Sequence, residues 1–325
     1  MNICRYSFII PCMNEECVLP ALFERLNGVL EKLDGESEVI FIDDGSRDKT
    51  ADLIYQEMRK SSYIKLIRLS RNFGHQSAVT AGLDRAQGDA IIILDADLQD
   101  PPETIHDLIR SWRAGNDIVH AQRVKRQGET WFKKSSASLF YYFLSKLSSV
   151  NIPQNVGDFR LIDKKVLHAL RKMPERDRFL RGMFSWVGFK QSIVQFERSS
   201  RYAGKTKYSF SKMLKLAISG VVGFSDIPLK LALWLGGLVS IGALSYGLYI
   251  VIMAQLSDIM VKGWASTIVI LAFLNGISLL VNGVIGLYIG RIHTESKSRP
   301  LYLVSNEYNF DSNVKHMERY ANETK

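Results

Sequence analysis

Short apolar runs alternate with helical spacing over the first third of the chain. "YSFIIP" (6–11), "EVIFID" (38–43), "IKLIRLS" (64–70), "AIIIL" (90–94) and "DIVHA" (117–121) predict strands. Between them, Leu19, Leu22, Leu26, Val29 and Leu33 share one face of a helix predicted over 16–33. Further helices are predicted over about 48–60, 75–86 and 102–113. Strands alternating with helices imply a mostly parallel sheet with helices on both faces. In such sheets ligands bind beyond the carboxyl ends of the strands.

The pattern changes in the last hundred residues. No Asp, Glu, Lys or Arg lies between Leu231 and Ser257, nor between Gly263 and Gly290. A bilayer core of ~30 Å needs about 20 apolar helical residues, so both runs are long enough to cross one. A pair of buried core helices is the alternative, but core helices seldom avoid charge for so long. Gly and other small residues in both runs suit close helix packing and self-association in lipid. Lys212, Lys215 and Lys230 precede the first run, and Arg291, Lys297 and Arg299 follow the second. Excess basic flanks predict both termini in the cytoplasm, at the plasma (inner) membrane in a bacterial cell. No apolar leader precedes "PCMNEE", so no signal peptide is expected.

The expected organisation is a catalytic domain over 1–206, an interfacial amphipathic helix over 207–228, two membrane helices within 229–291, and a loosely ordered polar tail over 292–325. Residues 129–147 mix Lys133, Lys134 and Lys146 with aromatics including Trp131, Phe140, Tyr141, Tyr142 and Phe143, and fit either a helix packed on the domain or one at the membrane interface. The net charge of +9 favours anionic lipid headgroups or phosphate substrates. No recognition-helix or aromatic RNA-binding motif accompanies it, so nucleic acid is not an expected partner. Cys4, Cys12 and Cys17 lack metal-ligand spacing and are read as reduced thiols.

Polar groups gather where the predicted strands end. In "AIIILDADLQDPPE" the apolar run meets Asp95, Asp97 and Gln99 before Pro101 and Pro102 stop it. Residues two apart on an extended segment point the same way, so three oxygen groups converge. Neighbouring carboxylates repel unless a cation lies between them. Hard oxygen donors select Mg²⁺ or Mn²⁺, which substrate phosphates then complete. One strand earlier, in "FIDDGSRDKT", Asp43 is placed to accept from a base NH or ribose hydroxyl, or else serves only as a turn residue. Ser46 or Asp48 can cap the next helix. Neither GxGxxG nor a Walker loop is present, which argues against a dinucleotide cofactor or P-loop hydrolysis.

Together, "PCMNEE", "DDGSRDKT", "RNFGHQSAVTAGLDRAQGD", "LDADLQDPPE", "VGDFRLID", "RFLRGMFSWVG" and "RYAGKTKYSF" resemble family 2 glycosyltransferases. The resemblance points to the polyprenyl-phosphate branch, which includes dolichol-phosphate mannose synthase-like and bactoprenol-phosphate glucosyltransferase-like enzymes. It implies an α/β GT-A-type, Rossmann-like catalytic domain followed by a two-helix transmembrane hairpin. The implied reaction is inverting transfer of one sugar from a nucleotide-diphosphate donor to a polyprenyl phosphate at the bilayer, with Mg²⁺ or Mn²⁺ as cofactor. UDP is favoured over GDP, and UDP-glucose or UDP-N-acetylglucosamine as donor. By motif, Pro11, Asn14, Glu15 and Asp43 would line the nucleotide pocket; Asp95, Asp97 and Gln99 would hold the metal. Asp158 would be the catalytic carboxylate. Arg201 and Lys207 would contact phosphates, with Arg123, Arg126 and Lys134 on the acceptor side. Thr206 stands where many relatives have Ser, and keeps the hydroxyl.

Two other readings compete. A haloacid-dehalogenase-type phosphotransferase also ends an apolar run in D-x-D, but wants Thr or Val where Gln99 stands. A non-catalytic nucleotide-sugar-binding membrane protein would not need the complete set of Asp95, Asp97, Asp158 and Arg201.

Overall fold

Four predicted strands form the centre of the sheet: β1 (Arg5–Cys12), β2 (Glu36–Asp43), β3 (Ile64–Leu69) and β4 (Ala90–Ile93). They are seen in a computed structural model that describes residues 4–124, 153, 156–197, 227–256 and 264–310. β1 pairs in parallel with both β2 and β4, and β2 with β3. Helices α1 (Leu19–Leu30), α2 (Thr50–Met58), α3 (His75–Arg85) and α4 (Ile105–Arg113) match the predicted ones, each somewhat shorter.

Both faces of the sheet are covered, as its apolar runs require. Tyr6, Phe8 and Ile10 join Leu19, Leu22 and Leu26 of α1 and Leu108 of α4 in one core. On the opposite face α3 lies directly on the strands. A Cβ at Gly82 would come within 2.5 Å of Ile9 Cγ2 and 2.8 Å of Ile42 Cδ1. Only a residue without a side chain allows that approach.

The remaining strands depart from the pattern. β5 (Ile118–Arg123) is not paired with β4; β6 (Val156–Asp163), which was not predicted, lies between them, antiparallel to both. β7 (Gln191–Phe196) and β8 (Val304–Tyr308) close the two edges, giving the order β7-β5-β6-β4-β1-β2-β3-β8. Helices α5 (Lys164–Arg171) and α6 (Leu180–Trp186) complete this unit. The result is the mostly parallel, helix-covered α/β sheet expected for a GT-A-type fold.

β8 corrects the expectation of a loosely ordered tail for residues 292–310; residues 311–325 lie outside the described residues. The helix before it runs on to Ser296, and residues 302–309 are then fastened along β3. Ser70 donates its N–H to Leu303 O at 2.8 Å, and the Asn309 side chain donates to Ile64 O at 2.9 Å. Arg85 grips Glu307 through two nitrogens, at 2.8 and 3.0 Å, and Tyr302 donates to Asp84. An edge strand is held by backbone pairing and ion pairs, so a search for apolar periodicity passes over it.

The second compact unit holds the two long helices, α7 (Ile227–Leu256) and α8 (Trp264–Ser296). Segments Ile227–Tyr249 and Phe273–Ser296 are long and apolar enough to cross a membrane, with mean hydropathy 1.7 and 1.6. Large apolar side chains stand open along both, among them Leu233, Trp234, Leu244, Phe273 and Leu279. These are not core helices, and such exposure is consistent with membrane association. The helix expected over 129–147 and residues 207–226 of the expected interfacial segment lie outside the described residues.

At the end of the sheet away from the candidate site, Glu38 is almost fully buried. It accepts from Lys65 Nζ at 2.7 Å, from the Ser7 hydroxyl and from the Gln87 N–H at 2.8 Å. Burial opposes its charge, but these donors prevail and hold its carboxyl below the usual range. A depressed carboxylate contributes stability above its unfolded pKa of about 4.5 and loses it as pH falls through the folded value. Glu38→Gln is therefore expected to cost roughly 3 kcal/mol at pH 7. In denaturant titrations across pH, the gap to the parent should close below about pH 4.

Candidate active site at the strand ends

The antiparallel register of β4 and β6 pairs Ala90 with Asp163 and Ile93 with Arg160. Carried two residues past Ile93, the same register sets Asp95 opposite Asp158. Like charges directly opposed on neighbouring strands repel, so the pair needs positive charge nearby.

That charge comes from three side chains. His75 Nε2 lies 3.2 Å from Asp158 Oδ2 and 3.6 Å from Asp95 Oδ1. Ligand-type atoms of His75, Asp95 and Asp158 all fall within 4.8 Å of one another. Arg181 takes Asp158 in a fork, with Nε 2.9 Å from Oδ1 and Nη2 3.1 Å from Oδ2. Arg160, almost fully buried, lies over the Phe184 ring, donates to Gly157 O at 2.7 Å and comes within 3.7 Å of Asp158.

The electrostatics follow from this arrangement. Burial and the facing carboxylates push Asp95 up to about 6, against the pull of His75. Burial also works against Asp158, but Arg181 and His75 hold it well below the usual carboxylate range. Burial opposes the His75 charge too, yet Asp95 and Asp158 raise its pKa to about 9.

Backbone anchoring explains why His75 and Arg181 meet Asp158. Asp44, buried at the end of β2, accepts the N–H groups of Phe73 (2.7 Å) and Gly74 (2.9 Å). Gly74 has φ +96°, and α3 begins at the next residue, His75. Gln76 Oε1 accepts the Leu180 N–H at 2.9 Å, tying the start of α3 to the start of α6, which carries Arg181.

The expected metal-binding loop is compact. Asp97 Oδ1 accepts the Gln99 N–H at 3.2 Å around Leu98, whose φ is +55°. The Gln99 side chain is buried, and its Oε1 has no hydrogen-bond partner. A buried carbonyl oxygen left unpaired is costly. An unpaired amide oxygen is a hard donor of the kind Mg²⁺ or Mn²⁺ takes, whereas the ligand-type atoms that cluster within 4.8 Å among the described residues are those of His75, Asp95 and Asp158 and do not include Asp97. Asp100, in the same loop, pairs with Arg123 at 3.3 Å. Arg123 lies against Gly157, the residue before Asp158, where a Cβ would fall 2.9 Å from its Nη2.

Residues expected to read the nucleotide gather one strand further along. Pro11 is inside β1, where it pairs with Ile42. Asn14 N–H donates to Ser46 Oγ, and Asn14 Oδ1 accepts the Arg47 N–H at 2.9 Å, so the loops after β1 and β2 are laced together. Glu15 N–H donates to Thr50 Oγ1 at 2.8 Å. Asp43 accepts the Ser46 N–H and pairs with Arg68 at 3.3 Å, and Asp48 caps α2 by accepting the Thr50 N–H. Arg126, Lys134, Arg201, Lys207 and Thr206 lie outside the described residues.

His75, Arg181, Arg160 and Asp44 were given no role from sequence. Each stands in a motif that carried the resemblance, "RNFGH", "RFLRG", "VGDFRLID" and "DDGS". For Asp44, His75 and Arg181 the available signal was a polar residue just past a strand or at the start of a helix; Arg160, inside β6, offered none.

The glycosyl transferase family 2 model matches residues 7–171, which contain Asn14, Asp43, His75, Asp95, Asp97, Gln99 and Asp158. The chain belongs to glycosyl transferase family 2. Among similar family 2 proteins is one of Bacillus subtilis (strain 168) named uncharacterized glycosyltransferase YkcC, 45% identical over 308 residues and 95% of each chain. The bactoprenol glucosyl transferase of Shigella phage SfV is 38% identical over 93% of this chain and 99% of its own. A prophage bactoprenol glucosyl transferase homolog of Escherichia coli (strain K12) is 39% identical over 92% and 98%.

The Asp44 clamp yields a stability prediction. Asp44→Ala leaves two backbone N–H groups without an acceptor and is expected to cost about 2–4 kcal/mol in chemical denaturation. Asp44→Asn keeps one acceptor oxygen and should lose about half as much.

Proposed function

We propose that the protein transfers a single sugar, with inversion, from a nucleotide-diphosphate donor to a polyprenyl phosphate at the cytoplasmic membrane face. UDP-glucose and UDP-N-acetylglucosamine are the favoured donors, undecaprenyl phosphate the acceptor, and cell-envelope glycosylation the purpose. The observation that carries this reading is the close pair of Asp95 and Asp158 at the strand ends, with a buried, unpaired Gln99 oxygen in the loop after β4. Near full-length similarity to proteins named bactoprenol glucosyl transferases supports the acceptor class.

Asp95, Asp97 and Gln99 would hold the divalent cation, which when bound supplies charge neutralisation on the departing diphosphate. Asn14, Glu15 and Asp43, with Pro11 behind them, shape the loops that would receive the nucleotide. Arg201 and Lys207 are assigned to phosphate contacts, and Arg126 and Lys134 to the acceptor. Arg123, which stands beside Gly157 and pairs with Asp100, is assigned to the acceptor as well. The acceptor is a phosphate monoester with a second pKa of ~6, already largely dianionic at neutral pH. Asp158 therefore has little proton to remove. It is assigned to positioning the acceptor, through the cations gathered around it, or to taking a residual proton.

The topology supports the membrane reading. The chain leaves the sheet, forms α7 and α8, and returns as β8 on the edge of that sheet. Both ends of the helical pair thus belong to one compartment, so an even number of crossings is required. Two spans with both termini cytoplasmic meet that condition, and the basic flanks agree with it.

Membranes expressing the protein, incubated with labelled UDP-glucose, UDP-N-acetylglucosamine and GDP-mannose in turn, are expected to move label from one donor into organic-extractable lipid. Asp97→Ala should abolish the transfer. Asp158→Asn should lower it at least about 100-fold while UDP affinity, measured by calorimetry, stays within about two-fold. Absence of lipid-linked label from every donor would overturn the proposal.

A further inference from the structure

We propose that His75 and Arg181 are positioning residues for the transfer, fixing the Asp158 carboxylate in one orientation opposite Asp95. The inference rests on the proposed role of Asp158 and adds to it two residues with no assigned function.

A carboxylate at the end of a single Cβ–Cγ bond can turn about that bond, and such torsions are broad and soft. At Asp158 the turn is blocked from two directions. The Arg181 fork engages both oxygens, a two-point contact that fixes orientation as well as distance. His75 approaches Oδ2 from a different helix, at 3.2 Å. Neither arm is itself loose. Asp44 pins the turn that starts α3 at His75, and Gln76 joins that turn to the first residue of α6, next to Arg181. The two arms therefore move as one body. Arg160 lies beneath them, packed on Phe184 of the same helix α6.

This is more apparatus than an ion pair holding α6 to the sheet would need. A tie between helix and strand is satisfied by Arg181 alone, and Arg160 already packs against α6. The addition of His75, which also reaches Asp95 at 3.6 Å, spaces the two carboxylates relative to each other. A displacement of about 1 Å in a reacting geometry costs on the order of 100-fold in rate. Holding Asp158 in place thus bears on turnover more than on binding.

The test uses full-length protein in detergent and the donor that moves label in the panel above. For His75→Leu, His75→Gln, Arg181→Met and Arg181→Lys, kcat, donor KM, UDP affinity and melting temperature are measured. The same substitutions are repeated in an Asp158→Asn background. His75→Leu and Arg181→Met are expected to lower kcat about 10- to 100-fold, with donor KM and UDP affinity within about two-fold. His75→Gln places an amide nitrogen near the Nε2 position and should recover kcat to within about five-fold of the parent, whereas Arg181→Lys, without the fork, should recover less.

Because both residues act through one carboxylate, their substitutions should cost less than about two-fold further in the Asp158→Asn background. Wild-type kcat in His75→Leu and Arg181→Met, with only the melting temperature lowered, would overturn the proposal. So would an undiminished loss in the Asp158→Asn background. Full turnover by Asp158→Asn itself would instead remove the role of Asp158 on which the inference stands.

Discussion

Two negative charges forced together at the end of a sheet are the constraint on which the rest of this molecule turns. The register of β4 on β6 directs Asp95, two residues past the strand, toward Asp158, and burial weakens the screening that water would give them. Everything nearby compensates. His75 stands between the two, Arg181 forks one of them, Arg160 lies beneath, and the α3 N-terminus adds its partial positive charge. The loop after β4 carries Asp97 and an unpaired Gln99 oxygen, which suits a divalent cation. A site built to balance excess negative charge with cations is prepared to receive a diphosphate and a phosphate monoester together.

The scaffold explains how this tension is sustained. Parallel strands β1 to β4 are covered on both faces by α1, α4 and α3, so the strand ends rest on a fully buried base. Asp44 and Gln76 then carry that rigidity into the loop and helix that hold His75 and Arg181. At the far edge, β8 stitches the chain after the apolar helices to β3 through Glu307, Tyr302 and Asn309. The catalytic unit is thus interrupted by the helical pair rather than simply followed by it.

Local patterning made the first half of the fold legible. Apolar runs of four to eight residues and a clear amphipathic period in α1 place the strands and helices of residues 5–123 well. Acids at the strand ends pointed to Asp95, which the fold brings close to His75 and Asp158. What stayed hidden was non-local. β6 carries Arg160 in a fully buried position, where pattern reading expects an apolar residue, and its insertion between β4 and β5 cannot be inferred from spacing. β8 is polar and held by pairing. His75 and Arg181 are ordinary polar residues until the fold brings α3 and α6 against β6. Motif resemblance supplied Asp158, but not the cations that hold it.

The central claim is that a divalent cation at the tip of β4 anchors the sugar donor beside Asp158. It is tested most directly by measuring sugar transfer into lipid before and after exhaustive chelation, then after adding back Mg²⁺ or Mn²⁺. The account predicts that transfer disappears on chelation and returns with the metal. Undiminished transfer by the chelated protein would contradict it.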